Sequence, residues 1–273
     1  MTYSEDYNNY ASARSQYYLE DKFSLETPWG FRNYIRESVV LKTIYRRKFH
    51  KVLDLGCASG HTLFRIAKNF PDSILVGLDI GKDFIATATN YAKELNIKNV
   101  DFFEGSLENY ATDQKYDLIL LLEVIEHVIN EEILLCNIKK LIATNGLLCI
   151  TTPNLNGDGT LYGRLLRFIK VRRFIPATDF TMEGTIKHGD QHVREFSSTT
   201  LEEVMETYGF RKVFSSGLLV LDYPFNEYFY KGFRRIPFYL KTLEFIEVTI
   251  SIYLMRFSRK YGRHLIYLFK LKD

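Results

Sequence analysis

Residues 52–60 read Val52-Leu53-Asp54-Leu55-Gly56-Cys57-Ala58-Ser59-Gly60, and nineteen residues beyond Gly60 the apolar run Ile74-Leu75-Val76-Gly77-Leu78 closes on Asp79. An apolar strand delivers a carboxylate to a glycine-rich turn, a helix opens behind the turn, and a second strand ends in an acid. That is the geometry that holds an adenosine-containing cofactor. Ligands of open parallel sheets lie beyond the carboxyl ends of the strands, which makes these strand ends the first candidate site.

The dinucleotide form of this turn needs Gly-x-Gly-x-x-Gly so that a pyrophosphate can sit on the helix N-terminus. Here the spacing is Gly56, Ala58, Gly60, followed by His61 and Thr62, and the Lys-Ser/Thr pair of a P-loop is absent. In these residues the chain resembles the class I S-adenosylmethionine (SAM)-dependent methyltransferases, whose first motif is Asp/Glu-x-Gly-x-Gly-x-Gly. Ala58 stands at the middle glycine, small enough to permit close backbone approach. The resemblance implies that Asp54 steadies the turn and the methionine end of SAM. It implies that Gly56, Cys57, Ala58 and Gly60 admit the cofactor, and that Asp79, with Ile80 beside it, receives the ribose hydroxyls. Asp79 also suits the alternative role of a helix N-cap. After the third strand the family shows Gly-Asp at the adenine; this chain has Gly105-Ser106-Leu107, so Ser106 and Leu107 are the expected adenine contacts, with a hydroxyl where the family has a carboxylate.

Outward from this motif, strands and helices alternate: strand 51–56, helix 61–70 stopped at Pro71-Asp72, strand 73–79, helix 82–95, strand 99–104, strand 116–122, helix 131–143 ended by Asn145-Gly146, and strand 147–152. Such alternation specifies an α/β fold, a Rossmann-like and mostly parallel sheet with helices on both faces. Beyond it, Thr199-Thr200-Leu201-Glu202 reads as a capping box opening a helix to Tyr208-Gly209. Strand-like residues 212–222, a helical stretch near 238–258 and a strand over 264–271 follow, the last antiparallel by the same resemblance. Two segments lie outside the rhythm. Residues 1–50, with seven tyrosines, Trp29 and an apolar pattern through Phe31, Ile35, Val39, Leu41 and Ile44, predict a helical lid. Residues 154–195, rich in glycine, are too long for a simple connection and read as a cap inserted into the methyltransferase domain of 51–273.

Chemistry concentrates in Glu123-Val124-Ile125-Glu126-His127, at the end of the fourth strand. The resemblance puts Glu123 near the methionyl group of SAM and turns Glu126 and His127 toward the methyl acceptor. An acceptor hydroxyl must lose its proton as it attacks, and His127 is the expected base. The plain alternative is that Glu126 and His127 cap the following helix. Glu-x-x-Glu-His with the later His192 resembles both the ubiquinone-biosynthesis O-methyltransferases and the small-RNA 3′-terminal 2′-O-methyltransferases. Two carboxylates and two imidazoles, Glu123, Glu126, His127 and His192, would suit Mg²⁺ or Mn²⁺; His188 is a weaker fourth ligand.

With 273 residues and 46% apolar composition, the chain can bury a full core. Cys57, Cys136 and Cys149 stand singly, which argues against disulfides and zinc and for a reducing compartment. The polar start Met1-Thr-Tyr-Ser-Glu-Asp predicts no signal peptide, and Lys241, Glu244 and Glu247 interrupt the oily stretch 236–255, so a cytoplasmic protein, at most peripheral at a membrane, is expected. The net charge is +3, but residues 223–273 carry ten Lys/Arg against four Asp/Glu, a basic, aromatic region of +6 on a remainder of −3. Arg164-Leu-Leu-Arg167-Phe-Ile-Lys170-Val-Arg172-Arg173-Phe174 could rest on anionic lipid or meet a phosphorylated substrate. The expected function is methyl transfer from SAM to a hydroxyl of a small molecule, glycan or lipid-linked metabolite. A terminal-ribose methyltransferase of RNA is disfavoured by the small charge and the lack of an RNA-binding module. A SAM-binding protein without catalysis is the third reading.

Overall fold

The computed structural model describes residues 28–45, 47–155, 193–218 and 237–272. Its elements are α1 (Pro28–Ile44), β1 (Lys51–Leu55), α2 (His61–Asn69), β2 (Ile74–Asp79), α3 (Lys82–Glu94), β3 (Val100–Glu104), β4 (Tyr116–Leu122), α4 (Glu131–Leu141), β5 (Ile142–Pro153), α5 (Ser198–Thr207), β6 (Phe210–Leu218), α6 (Pro237–Tyr253), α7 (Met255–Tyr261) and β7 (His264–Leu271). A single 7-stranded sheet runs β3-β2-β1-β4-β5-β7-β6. The first five strands in that order are parallel, while β7 runs antiparallel to both β5 and β6. The expected α/β architecture with an antiparallel last strand is thus what forms.

Strands buried on both faces read as unbroken apolar runs, and Leu118 to Leu121 of β4 are such a run, all fully buried. The side-chain period of two sorts them into two cores. Val52, Leu118 and Leu120 pack on one face with Val39, Leu63, Phe64 and Ala88 of α1, α2 and α3. Leu53, Ile119 and Leu121 pack on the other with Leu134, Ile138, Leu201 and Met205 of α4 and α5.

The structure corrects four boundaries. Helix α4 ends at Leu141, and β5 begins at once, with a register shift that pairs Tyr116 with Ile142 but Leu118 with Leu147. Gly146 sits in that bulge, where an added Cβ would lie 2.8 Å from the Tyr116 carbonyl, so the Asn-Gly pair marks a bulge and not a helix stop. The capping box starts two residues earlier than the sequence pattern suggests: Ser197 Oγ accepts from Thr200 N, and Thr200 Oγ1 accepts from Ser197 N, making threonine the reciprocal partner instead of an acid. Strand β6 opens at Phe210, because Gly209, at φ 82°, ends the helix turn, and its described part closes at Leu218. The helical stretch near 238–258 is two helices that break at Leu254.

Helix α1 is the described part of the predicted lid, and Arg65 of α2 fixes it. Its guanidinium bonds Glu37 Oε2 at 3.1 Å and Ser38 Oγ at 3.0 Å, and lies 4.8 Å above the Tyr34 ring. Tyr34 also donates to Glu244 of α6 at 3.0 Å. The cap segment is described only at its ends, and the basic stretch 164–174 lies outside the described residues, as do His188 and His192. Cys57, Cys136 and Cys149 are all free thiols. Among the described residues no helix is long and apolar enough to cross a membrane.

Candidate active site

Parallel register brings the ends of β1, β2, β3 and β4 to one edge, and Asp79 is the knot that ties three of them. Its Oδ2 accepts from Ala58 N at 2.9 Å, its Oδ1 accepts from Gly81 N at 2.8 Å, and its carbonyl accepts from Gly105 N at 2.9 Å. Gly56 N and Cys57 N both donate to the Leu78 carbonyl. Charge-assisted bonds of this kind are roughly twice as strong as neutral ones, so the loop is held by a buried carboxylate. The N-cap of α3 is Gly81, with no side-chain cap, so Asp79 is not the helix N-cap; its carboxylate instead ties the β1 turn and the Gly81 N–H ahead of the helix.

The turn itself is left-handed at three places: Gly56 at φ 81°, Ala58 at φ 45° and Gly60 at φ 79°. A Cβ on Gly56 would stand 2.4 Å from Val124, and one on Gly60 would stand 2.5 Å from the Phe102 ring. These glycines serve both conformation and close approach. A cavity of about 390 Å³, counting its open mouth, lies against the turn and is lined by Arg36, Glu37, Val40, Asp54, Gly56, Cys57, Ala58, Thr62, Leu122 and Thr151. Asp54 is buried, and with burial itself its charge pushes the neighbouring Cys149 thiol up, keeping it protonated. Ile80, Ser106 and Leu107 are half-buried at the same edge. Ser106 donates to Glu108 at 2.6 Å, which leaves its oxygen lone pairs free to accept.

Glu123 follows β4 with φ 58°, a left-handed conformation that a non-glycine residue holds only when its surroundings impose it. Its Oε2 lies 2.7 Å from His264 Nδ1 and 3.3 Å from Arg36 Nη1. Burial opposes its ionisation, but the His264 and Arg36 charges win and hold the Glu123 carboxyl well below the usual range. Glu126 has the opposite fate. Burial first, then the Glu123 charge, push its carboxyl well above the ordinary value, although Thr152 donates to it at 3.0 Å. His127 closes the 3₁₀ turn Ile125–His127 and is half-buried, with its N–H on the Val124 carbonyl. The Glu126 carbonyl accepts from Val193 N, so the far end of the cap returns to this turn.

A raised carboxyl binds its proton more tightly in the folded state than in the unfolded one. Stability then falls as pH rises through the unfolded value near ~4.3 toward the folded one. Glu126→Gln is expected to raise the denaturation midpoint at pH 7 relative to the native chain and to converge with it at pH 4; a difference independent of pH would refute the assignment.

Of the expected metal tetrad, Glu123, Glu126 and His127 are described, whereas His192 lies outside the described residues. Among the described residues no group of three or more His, Cys, Asp or Glu side chains is placed to hold an ion. A divalent ion at Glu123 would sit against the Arg36 guanidinium, and Glu126 is turned to Thr152. Arg36, Glu37, Val40, Thr62, Leu122 and Thr151, which line the cavity, were not legible in the sequence as site residues, nor was His264 beside Glu123. Only the antiparallel entry of β7, which puts its first residue at the sheet's carboxyl edge, could have flagged His264.

A family model described as a methyltransferase domain matches residues 47–191, just over half of the chain. The chain belongs to this family, in its class I SAM-dependent form. The ubiquinone biosynthesis O-methyltransferase of Rickettsia akari is 33% identical over 127 residues, 45% of this chain and 49% of that protein, so the chain spans about half the length of this relative. Among solved structures, the O-methyltransferase of a Brevibacillus brevis trans-AT polyketide synthase multienzyme, in complex with S-adenosyl-L-homocysteine, superposes with TM-score 0.56 at 18% identity, over 100% of this chain and 80% of that one. The [4+2]-cyclase SpnF superposes equally well, with TM-score 0.56 at 14% identity over 87% and 80% of the two chains. The fold alone therefore does not fix the chemistry.

Proposed function

We propose that the protein transfers a methyl group from SAM to a hydroxyl of a small molecule, a glycan or a lipid-linked metabolite. The observation that carries this reading is the left-handed turn at Gly56, Ala58 and Gly60, held by Asp79 and opening on a cavity with Asp54 in its wall. Asp54, Gly56, Cys57, Ala58 and Gly60 cradle the amino acid and sulfonium end. Asp79 and Ile80 face the ribose, Ser106 and Leu107 the adenine, and Glu123, Glu126 and His127 the side from which the acceptor enters. Helix α1, docked through Arg65, serves as the lid.

A sulfonium is already an excellent leaving group, so the chain's task is orientation and exclusion of water. Oxygen as the acceptor is supported by the Rickettsia akari relative. Calorimetry on the full chain tests the cofactor half: S-adenosylhomocysteine is expected to bind, and Gly60→Ala to weaken it by about 10-fold or more, roughly 1.4 kcal/mol. No binding at saturating ligand, or displacement by a nicotinamide dinucleotide, would reject the reading. Radiolabelled methyl transfer to oxygen, undiminished by a chelator, is the expected result for the catalytic half.

A further inference from the structure

Helix α6 turns its polar residues inward. Glu247 and Ser251 are buried, Glu244 accepts from the Tyr34 hydroxyl of α1, and Val248 packs on the core that α1, α2 and α3 share. The opposite stripe is apolar and open. Phe245 and Tyr253 are each 71% exposed, and Ile246, at 38%, stands two turns before Tyr253 on the same face. The stripe runs on through the helix break, where Leu254 is 53% and Met255 40% exposed. Between residues 245 and 255 the sole charged side chain is Glu247, and it lies inside. A helix that merely faced water would carry its charges on the outer side. Arg256 follows at once and is exposed, and residues 248–272 hold six Lys/Arg and no Asp/Glu. Of these, Arg259 is paired with Glu202 at 3.6 Å, whereas Arg256 stands beside the apolar break.

We propose that the break between α6 and α7 is a membrane-contact surface that docks on an anionic bilayer. Tyr253, Leu254 and Met255 enter the boundary between headgroups and acyl chains, and Arg256 stays at the lipid phosphates. This concerns the outer surface and holds whether or not the methyl-transfer reading does. An exposed tyrosine beside aliphatic side chains suits that boundary, because its ring is apolar and its hydroxyl remains wet. Anionic lipid matches both parts of the surface, the apolar tip and the cationic flank with no acid in its sequence. A second copy docking through the same stripe would set one acid-free α7 against another, like charge on like charge. The helix lies on the bilayer and does not span it: α6 has 17 residues, and no described helix is long and apolar enough to cross. Glu244 of α6 holds Tyr34, two residues before Arg36 of the cavity wall, so the contact surface is joined to the helix beside the candidate site.

The test is flotation of the full chain with vesicles of phosphatidylcholine alone or of phosphatidylcholine mixed with phosphatidylglycerol. The native chain is expected to float with the mixed vesicles, less so as salt is raised, and to stay behind with phosphatidylcholine alone. Leu254→Glu combined with Met255→Glu is expected to weaken partition by about 10-fold or more, because two apolar insertions are lost. Arg256→Gln should weaken it by about 5-fold. All three positions are exposed, so the melting midpoint should stay within about a degree of the native one. Were the double variant's midpoint to fall, Arg256→Gln and the salt series would decide alone. A native chain that floats with neither vesicle overturns the proposal. A double variant that floats like the native chain overturns it too, and moves the lipid contact elsewhere, as to residues 164–174. So does a native dimer in sedimentation without lipid that the double variant abolishes, which would give the stripe to a second copy.

Discussion

An Asp79→Ala chain is expected to bind SAM about 10-fold more weakly or worse, and to lose roughly 1–3 kcal/mol of stability. Both effects come from one carboxylate. In the free protein its two oxygens accept from Ala58 N and Gly81 N, so truncation leaves two N–H donors at a buried junction of β1, β2 and β3 without their acceptor. The ribose contribution can be separated from the loop contribution by the ligand. The native chain should prefer S-adenosylhomocysteine to its 2′-deoxyribose analogue, and Asp79→Ala should lose that preference. Equal affinity of native and variant chains in calorimetry would sink the ribose assignment, and an unchanged thermal midpoint would sink the loop assignment. Asn is no conservative substitute here, because its amide nitrogen would confront one of the two N–H groups.

Gly217→Ala should be the most destabilising single methyl in the described chain. A Cβ at this position would lie 1.9 Å from the Ser258 carbonyl oxygen and 2.4 Å from its carbon, both backbone atoms of α7. Nothing there is the end of a flexible side chain. The contact is tight because Ser216 and Ser258 share a hydroxyl bond at 2.7 Å, Gly217 N donates to Ser258 Oγ at 3.2 Å, and Asn154 Nδ2 donates to the Arg259 and Gly262 carbonyls at 3.0 Å each. Overpacking against backbone costs about 3 kcal/mol or more, which is roughly 6–12 °C in melting midpoint for a domain of this size. The displaced helix leads directly into His264, whose register partner is Leu218. A midpoint within a degree of the native chain would refute this.

The parallel half of the fold was legible because its rules are local. Gly56, Gly60 and Asp79 announce a turn and a strand end by spacing, and the run through Leu118–Leu121 announces burial on both faces. What the sequence hid is tertiary. Gly146 looks like a helix stop and is a bulge, since the deciding contact, with the Tyr116 carbonyl, comes from another strand. Thr199 looks like the start of a capping box, which instead opens at Ser197 and closes on Thr200. In the site, Glu123 was legible as a strand-end acid, but its partners Arg36 and His264 come from α1 and β7, and no spacing rule connects either to residue 123. Glu-x-x-Glu-His likewise fixes only sequence separation, and the backbone sends Glu123 and Glu126 to different neighbours.

The Arg36–Glu123–His264 cluster joins residues more than two hundred positions apart in sequence. Contacts of such range must await closure of the longest loops, which is entropically the slowest kind of assembly. The β1 turn can be built from neighbouring segments early, while the acceptor side matures only after the final strand has slid between β5 and β6. Newly made chains should thus acquire affinity for the nucleoside before they acquire turnover, and a kinetic trap that delays strand insertion would yield a binder with no activity.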